Sequence, residues 1–126
     1  EDCHIILRGG KSPNYDMFSV DAACALLTKA GLPERLMIDA SHANSRKIPA
    51  RQADVAADIA TQIRRGNHAI SGIMLESFLE EGSQSVKPGN PLVYGQSITD
   101  PCMDWSTTER VLDDLAAAVS QRRLMA

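Results

Sequence analysis

The sequence predicts an α/β fold in which parallel strands alternate with helices. Three short apolar segments rich in β-branched residues each stop at a polar or glycine-rich loop, a pattern typical of buried parallel strands. Each is followed by apolar residues at helical spacing. The strands begin at His4, Leu36 and Ala69, so each step has the length of one βα unit. Three units suit either a small open sheet or part of a (β/α)₈ barrel, which needs roughly 250 residues.

Composition indicates one globular domain, which we expect to span residues 1–126. The chain is 44% apolar and 23% charged, which is ordinary for a globular protein. Its net charge of −3 and the lack of a basic run disfavour binding to nucleic acid or to a membrane surface. The apolar runs are also far shorter than the roughly 20 residues that span a bilayer.

The cysteines and the first residues bear on the cellular setting. Cys3, Cys24 and Cys102 are an odd number without a C-x-x-C pair. This disfavours a disulfide framework and a zinc knuckle, and it favours a reducing, cytoplasmic location. The chain begins at Glu1 without a start Met or a signal-peptide pattern. We therefore expect it to be part of a longer protein.

The first βα unit starts with an apolar strand over residues 4–8 that stops at Gly9 and Gly10. Its continuous apolar character predicts a strand covered on both faces. Ser19 is the expected N-cap of the following helix, which ends at Gly31. The residues expected on the buried side of that helix are Val20, Ala23, Cys24 and Leu27.

The second unit has a strand over residues 36–40, a polar loop over 41–47 and a helix opened by Pro49 and closed by Gly66. The third has a strand over residues 69–75, and then a long polar stretch before the last helix.

The last helix is predicted to start near Ser106. Ser106 and Glu109 have the spacing of a capping box, and Arg122 and Arg123 suit the negative end of the helix dipole.

Polar side chains follow the strands where the working residues of parallel α/β folds gather. Arg8 ends the first strand, and its planar fork beside two glycines suits a phosphate or carboxylate, although a solvated Arg in a turn is the alternative. His42 follows the second strand and could equally be a surface histidine. Glu76 follows the third strand, where a carboxylate is poorly solvated unless it is paired or binds a cation. Asp100 could instead cap the turn before Pro101.

One imidazole and two carboxylates make a ligand set suited to Mn²⁺, Fe²⁺, Co²⁺ or Zn²⁺, and a nearby Arg would suit a phosphorylated substrate. Other catalytic motifs are not supported. Ser41 lacks a G-x-S-x-G context, and residues 82–89 lack the order of a P-loop.

Several motifs in sequence order resemble the C-terminal part of the type I 3-deoxy-D-arabino-heptulosonate 7-phosphate (DAHP) synthases. They are CHIILRGGK at residues 3–11, MIDASHAN at 37–44, MLES at 74–77 and GQSITD at 95–100. The resemblance implies the last three βα units of a (β/α)₈ barrel. It also implies an enzyme that condenses phosphoenolpyruvate with erythrose 4-phosphate, the first step of the shikimate pathway to aromatic amino acids.

The resemblance also implies roles for individual residues. Arg8 resembles an Arg that helps to hold phosphoenolpyruvate, and His42, Glu76 and Asp100 resemble three of four ligands of a divalent metal. Asp100 also lies near the aldehyde substrate in that family, so His42 and Asp100 are the expected catalytic residues. We expect the three ligands to converge above the carboxyl ends of the strands.

The chain departs from the family pattern in ways that predict inactivity in isolation. The fourth family ligand is a Cys in an early strand, and none of the three cysteines here matches its motif. The family's other anion-binding Arg and Lys residues belong to the same missing half. Gln96 stands where the family often has Lys, and Ser83 where it often has Asn, but neither position is a ligand in the family. We expect the chain to form a homo-oligomer or to associate with the missing N-terminal half. The alternative is a non-catalytic, truncated or degenerate module that acts by binding or assembly.

Overall fold

The computed structural model describes residues 3–125; the expected domain limits at residues 1 and 126 lie outside that range. The helices and strands, in chain order, are β1 (Ile5–Leu7), α1 (Met17–Lys29), β2 (Leu36–Asp39), α2 (Arg51–Arg64), β3 (Ile70–Met74), β4 (Glu80–Ser83), β5 (Gln96–Ser97) and α3 (Trp105–Leu124).

Three strands form a parallel sheet in the order β1-β2-β3, which confirms the predicted α/β class. Ile5 pairs with Leu36 at the start of the sheet, and Asp39 pairs with Met74 at its carboxyl end. Because all three strands run in one direction, the loops after β1, β2 and β3 meet at the same edge.

The core lies between the sheet and the helices. Leu36 and Ile38 of β2 alternate onto the helical side and are fully buried. They belong to one apolar cluster with Val20 of α1, Ile59 of α2 and Ala118 of α3. Every helix therefore contributes to a single core, as the helical spacing of apolar residues predicts. No helix within residues 3–125 is long and apolar enough to cross a membrane.

The prediction that the first strand is covered on both faces is wrong for this chain. Ile5 and Ile6 of β1 are 45% and 47% exposed. The outer edge of β1 pairs with no other strand among the described residues, since the sheet ends there. The strand therefore has the apolar composition of an interior strand, although it lies at the edge of this sheet.

The predicted helix starts need correction. Asp16, not Ser19, caps α1, and its carboxylate accepts hydrogen bonds from the Ser19 amide and hydroxyl. Asp104, not Ser106, caps α3 through the Thr107 amide. In both places the carboxylate lies three residues before the amide that it caps, and Asp is as good an N-cap as Ser.

The start of α2 also differs from the prediction. The helix begins at Arg51 after Ala50, without a side-chain cap, so Pro49 lies just before it and not in its first turn.

The polar stretch after β3 is not a simple loop. It contains β4 and β5, which form a separate two-stranded parallel sheet. Gln84 stabilises this unit by donating to the carbonyls of Val93 and Gln96 at 2.8 and 3.0 Å. The stretch is therefore an ordered excursion that leaves the main sheet after β3 and returns before α3.

Candidate metal centre

Three predicted side chains meet at the carboxyl edge of the main sheet. His42, Glu76 and Asp100 each offer one ligand atom, and these atoms lie within 4.8 Å of one another. His42 and Glu76 are partly buried, whereas Asp100 is exposed. The structure thus brings together the three residues that the sequence singles out, on loops from three different parts of the chain.

His42 is presented by the loop that follows β2. Its backbone lies in the left-handed region with a φ of 43°, uncommon for a residue other than glycine and often found at functional sites. The Nδ1 atom lies 2.7 Å from Asp39 Oδ2, and the Nε2 atom lies 4.0 Å from Glu76 Oε1. The ring is therefore held on one side by Asp39 and presents its other nitrogen to Glu76.

Glu76 is fixed by its backbone and by its side chain. The fully buried Gln52 of α2 donates to the Glu76 carbonyl at 3.1 Å and accepts from the Glu76 amide at 2.8 Å. The Ser41 hydroxyl donates to Glu76 Oε2. Oε1 is left facing His42, so one carboxylate oxygen is occupied and the other is directed toward the cluster.

Asp100 reaches the cluster because the chain pairs with itself on both sides of the excursion. The Met103 amide donates to the Glu76 carbonyl at 3.0 Å, and the Phe78 amide donates to the Met103 carbonyl at 3.0 Å. Cys102 and Gly82 also exchange a pair of backbone hydrogen bonds. Met103 is almost fully buried and anchors this return. Asp100, three residues earlier, is thereby held beside Glu76.

Arg8 lines the same cavity as the three clustered residues, together with Lys47. The cavity has a volume of about 110 Å³, well below the roughly 300–1,000 Å³ of ordinary ligand pockets. It has room for an ion and a few further atoms. Two cationic side chains beside this space would attract an anionic group.

Gly9 lets the Arg8 loop approach the His42 loop. Its φ is 77°, and a Cβ there would lie 2.8 Å from the Cβ of Ala43 and 2.8 Å from the amide nitrogen of Asn44. Only glycine adopts this backbone conformation in so small a space without displacing the neighbouring loop.

The chemistry of the cluster favours a bound cation. Two carboxylates this close repel each other unless a proton or a cation lies between them. The imidazole nitrogen that faces them is a common ligand of divalent transition metals. The 4.0 Å between His42 Nε2 and Glu76 Oε1 is too long for a hydrogen bond, yet two ligand bonds of roughly 2.0–2.2 Å can span it.

The cluster itself contains no cysteine among the described residues. Cys102 lies close by, and its Sγ is 3.5 Å from the Asp100 carbonyl. Burial, together with the charges of Glu76 and Asp100, raises the pKa of the Cys102 thiol, although a hydrogen bond with Ser97 acts in the opposite direction. The thiol is therefore less readily ionised than an ordinary cysteine in the metal-free protein.

Sequence reasoning missed the side chains that support the cluster. The sequence offers a clue to two of them, Asp39 and Ser41, because they lie within three residues of His42. It offers none for Gln52, whose place on a helix follows no recognisable motif. Asn44 links the loops by hydrogen bonds to Asn14, Leu7 and Asp39. Such contacts depend on the tertiary structure.

A parallel α/β sheet with acidic, imidazole and cationic side chains at the carboxyl ends of its strands has the architecture of an α/β enzyme site. Comparison with known proteins makes this more specific. The model of the DAHP synthetase I family matches residues 1–113. Since this match covers most of the sequence, the chain belongs to that family.

Individual relatives agree with this assignment. The chain is 56% identical over 119 residues to the Trp-sensitive phospho-2-dehydro-3-deoxyheptonate aldolase of Salmonella typhi, covering 94% of this chain and 34% of the relative. It is 55% identical over 122 residues to the Phe-sensitive enzyme of Escherichia coli K12, covering 97% of this chain and 35% of the relative. The chain thus spans about a third of the length of these relatives.

A solved structure shows the same fold. The phospho-2-dehydro-3-deoxyheptonate aldolase of Francisella tularensis SCHU S4 matches with a TM-score of 0.89 and 45% sequence identity. The match covers 94% of this chain and 35% of that one. The fold described above is therefore similar to one third of a larger enzyme structure.

Proposed function

We propose that this chain is the C-terminal part of a (β/α)₈-barrel DAHP synthase and supplies three of its metal ligands. The observation that carries the proposal is the convergence of His42, Glu76 and Asp100 within 4.8 Å in a member of this family. The exposed edge of β1 supports the barrel, because a further strand pairing with Ile5 and Ile6 would cover it.

The proposed reaction joins C3 of phosphoenolpyruvate to the aldehyde carbon of erythrose 4-phosphate. Water adds at C2 of phosphoenolpyruvate and inorganic phosphate leaves. A divalent metal, when bound, polarises the aldehyde oxygen. Which of Mn²⁺, Fe²⁺, Co²⁺ or Zn²⁺ the protein uses depends on availability as well as on the ligands, since this donor set accepts all four.

The residues of this chain would hold the metal and one of the anionic groups. His42 and Glu76 are partly buried and fixed by neighbours, so they form the rigid side of the metal site. Asp100 is the exposed ligand and lines the cavity, where it would lie near the aldehyde. Arg8 pairs with the phosphate or carboxylate of phosphoenolpyruvate, which its planar fork fits.

The small cavity agrees with a site that is completed by another part of the protein. A cavity of about 110 Å³ cannot enclose two phosphorylated substrates. Anchoring both of them takes several fixed cations at once, and Arg8 and Lys47 are the two that line it. We therefore expect no synthase activity from the 126 residues alone. The cytoplasmic location and the absence of nucleic-acid partners stay predictions.

The experiment is a fusion in which these 126 residues replace the matching third of the E. coli Phe-sensitive relative, named the graft below. We expect the graft to consume phosphoenolpyruvate and erythrose 4-phosphate in the presence of Mn²⁺, and the isolated chain to form no product. His42→Asn should abolish the activity of the graft. The matched control is His68→Asn, because His68 is exposed on the loop before β3.

The alternative is a degenerate module without catalysis. A graft that folds and assembles but turns over no substrate at saturating Mn²⁺ would support the degenerate module and refute the proposed catalytic role. Product from the isolated chain would also refute our account, since it would show that the other ligand and cations are not needed.

Association is a second part of the proposal. We propose that the chain buries its exposed β1 edge against the rest of the barrel or against another copy, since Ile5 and Ile6 present unpaired apolar strand surface. Sedimentation of the isolated chain should show oligomers. A monodisperse 13.6 kDa species with cooperative melting would contradict this.

A further inference from the structure

Asp39, the last residue of β2, is a buried carboxylate that the proposed reaction does not use. Only 3% of its surface is exposed. Oδ1 accepts a hydrogen bond from the Ser41 amide at 2.8 Å, and Oδ2 lies 2.7 Å from His42 Nδ1. Among the described residues, His42 is the ionisable side chain that contacts this carboxylate. Each oxygen of this carboxylate therefore has one specific partner.

These contacts determine which nitrogen of His42 carries the proton. An ionised carboxylate only accepts hydrogen bonds, so the short contact to Asp39 requires a proton on His42 Nδ1. In the neutral ring the lone pair then lies on Nε2. Nε2 is the atom that faces Glu76 at 4.0 Å, inside the cluster. The ring is thus oriented and protonated for ligation through Nε2.

We infer that Asp39 is a positioning residue that holds His42 in the Nδ1–H tautomer, with Nε2 available to a divalent cation. The inference rests on the proposed function for the identity of the site. It concerns a different residue, however, and a property of the metal-free protein. Histidine ligands whose second nitrogen donates to a carboxylate are a general feature of metal sites, and loss of the carboxylate lowers metal affinity.

Asp39→Asn is a sharp test because the substitution preserves shape and reverses one hydrogen bond. Asn has one acceptor oxygen, and the Ser41 amide can only donate to it. The Asn NH₂ group then faces His42 Nδ1 and requires a lone pair there, which moves the ring proton to Nε2. If the amide turns the other way, its NH₂ group opposes the Ser41 N–H in a buried site, which is unfavourable.

The first measurement is the tautomer of His42 in the metal-free chain labelled with ¹⁵N-histidine. It is read from the shifts of the ring nitrogens at about pH 8.5, where an ordinary imidazole is neutral. We expect Nδ1–H in the wild type and Nε2–H in Asp39→Asn. His4 and His68 are exposed and provide internal references. Asp113→Asn removes an equal charge from an exposed site on α3 and should leave the signal unchanged.

The second measurement is the affinity of the graft for Mn²⁺, by competition with a chelator. We expect Asp39→Asn to weaken binding by about 10- to 100-fold and Asp113→Asn to leave it unchanged. A purely structural role for Asp39 would lower stability without changing the tautomer.

The possible outcomes separate the inference from the proposed function. An Nε2–H tautomer in the wild-type chain would by itself overturn the inference. An Asp39→Asn graft that binds Mn²⁺ as tightly as the wild-type graft would also overturn it. A wild-type graft that binds no Mn²⁺, while His42 shows the Nδ1–H form, would refute the metal site and leave the tautomer assignment in place. If Asp39→Asn does not fold, the wild-type tautomer still decides.

Discussion

Asn44 is the side chain whose replacement tests the architecture of the site most severely. It is 3% exposed and makes three hydrogen bonds. Its Oδ1 accepts from the Asn14 amide at 2.7 Å, and its Nδ2 donates to the carbonyls of Leu7 at 3.1 Å and Asp39 at 2.7 Å. One amide group therefore joins the ends of β1 and β2 to the loop before α1.

Asn44→Asp keeps the shape and the acceptor but replaces the donor by a second oxygen. Two hydrogen bonds worth about 1 kcal/mol each are lost, and two carbonyls then face a carboxylate oxygen in a buried site, which costs about 1–3 kcal/mol more. We expect the free energy of unfolding to fall by about 3–5 kcal/mol, well above the effect of an average substitution.

The assay is urea unfolding of the chain followed by circular dichroism at neutral pH. Asn90→Asp is the matched control, because Asn90 is exposed and its side chain makes no hydrogen bond within residues 3–125. The control should change the free energy of unfolding by less than about 0.5 kcal/mol. An Asn44→Asp chain within about 1 kcal/mol of the wild type would show that these loops are not held together as described.

Two further predictions concern ionisable groups. The hydrogen bonds from Ser19 lower the pKa of the Asp16 carboxyl below 3.8, so this cap stabilises the fold above that pH and is lost as the pH falls through the lower folded-state value. Asp16→Ala should therefore lower the free energy of unfolding by about 1 kcal/mol at neutral pH and by little in strong acid. Urea unfolding at both pH values measures this difference, and an equal loss of stability in strong acid would contradict the capping role. Because burial raises the pKa of the Cys102 thiol, iodoacetamide should alkylate the exposed Cys3 faster than Cys102, and mass spectrometry showing the opposite order would contradict this placement.

The main sheet could be predicted from the sequence because its signals are local. Apolar strands of three to five residues, each followed by a helix with an apolar stripe, specify βα units whatever surrounds them. The order and direction of β1, β2 and β3 follow from the connections. The exposure of Ile5 and Ile6 could not be predicted, because it depends on which further strands are present and not on the strand itself.

The route by which the chain brings Asp100 back to Glu76 could not be predicted from the sequence. Residues 76–99 are polar and lack a clear period, since β4 and β5 are short and β4 exposes most of its side chains. The return depends on backbone pairing of Met103 with Glu76 and Phe78. Backbone hydrogen bonds depend little on side-chain type, so the residue pattern does not predict this return. The resemblance to a family motif is what identifies Asp100 as a candidate ligand.

The helix caps show a different limit. Both Asp16 and Ser19 are good cap residues, and the choice between them depends on where the chain turns before α1. The same holds for Asp104 and Ser106 before α3. Sequence patterns located both helices but left each start uncertain by two or three residues.

The most direct test of the account is an anomalous difference map from crystals of the graft grown with Mn²⁺. We expect one strong peak at the carboxyl edge of the main sheet, roughly 2.0–2.3 Å from His42 Nε2 and from a carboxylate oxygen of both Glu76 and Asp100. A map with no peak among these three side chains at saturating Mn²⁺, or with Mn²⁺ bound only elsewhere, would contradict the assignment of this cluster as a metal centre.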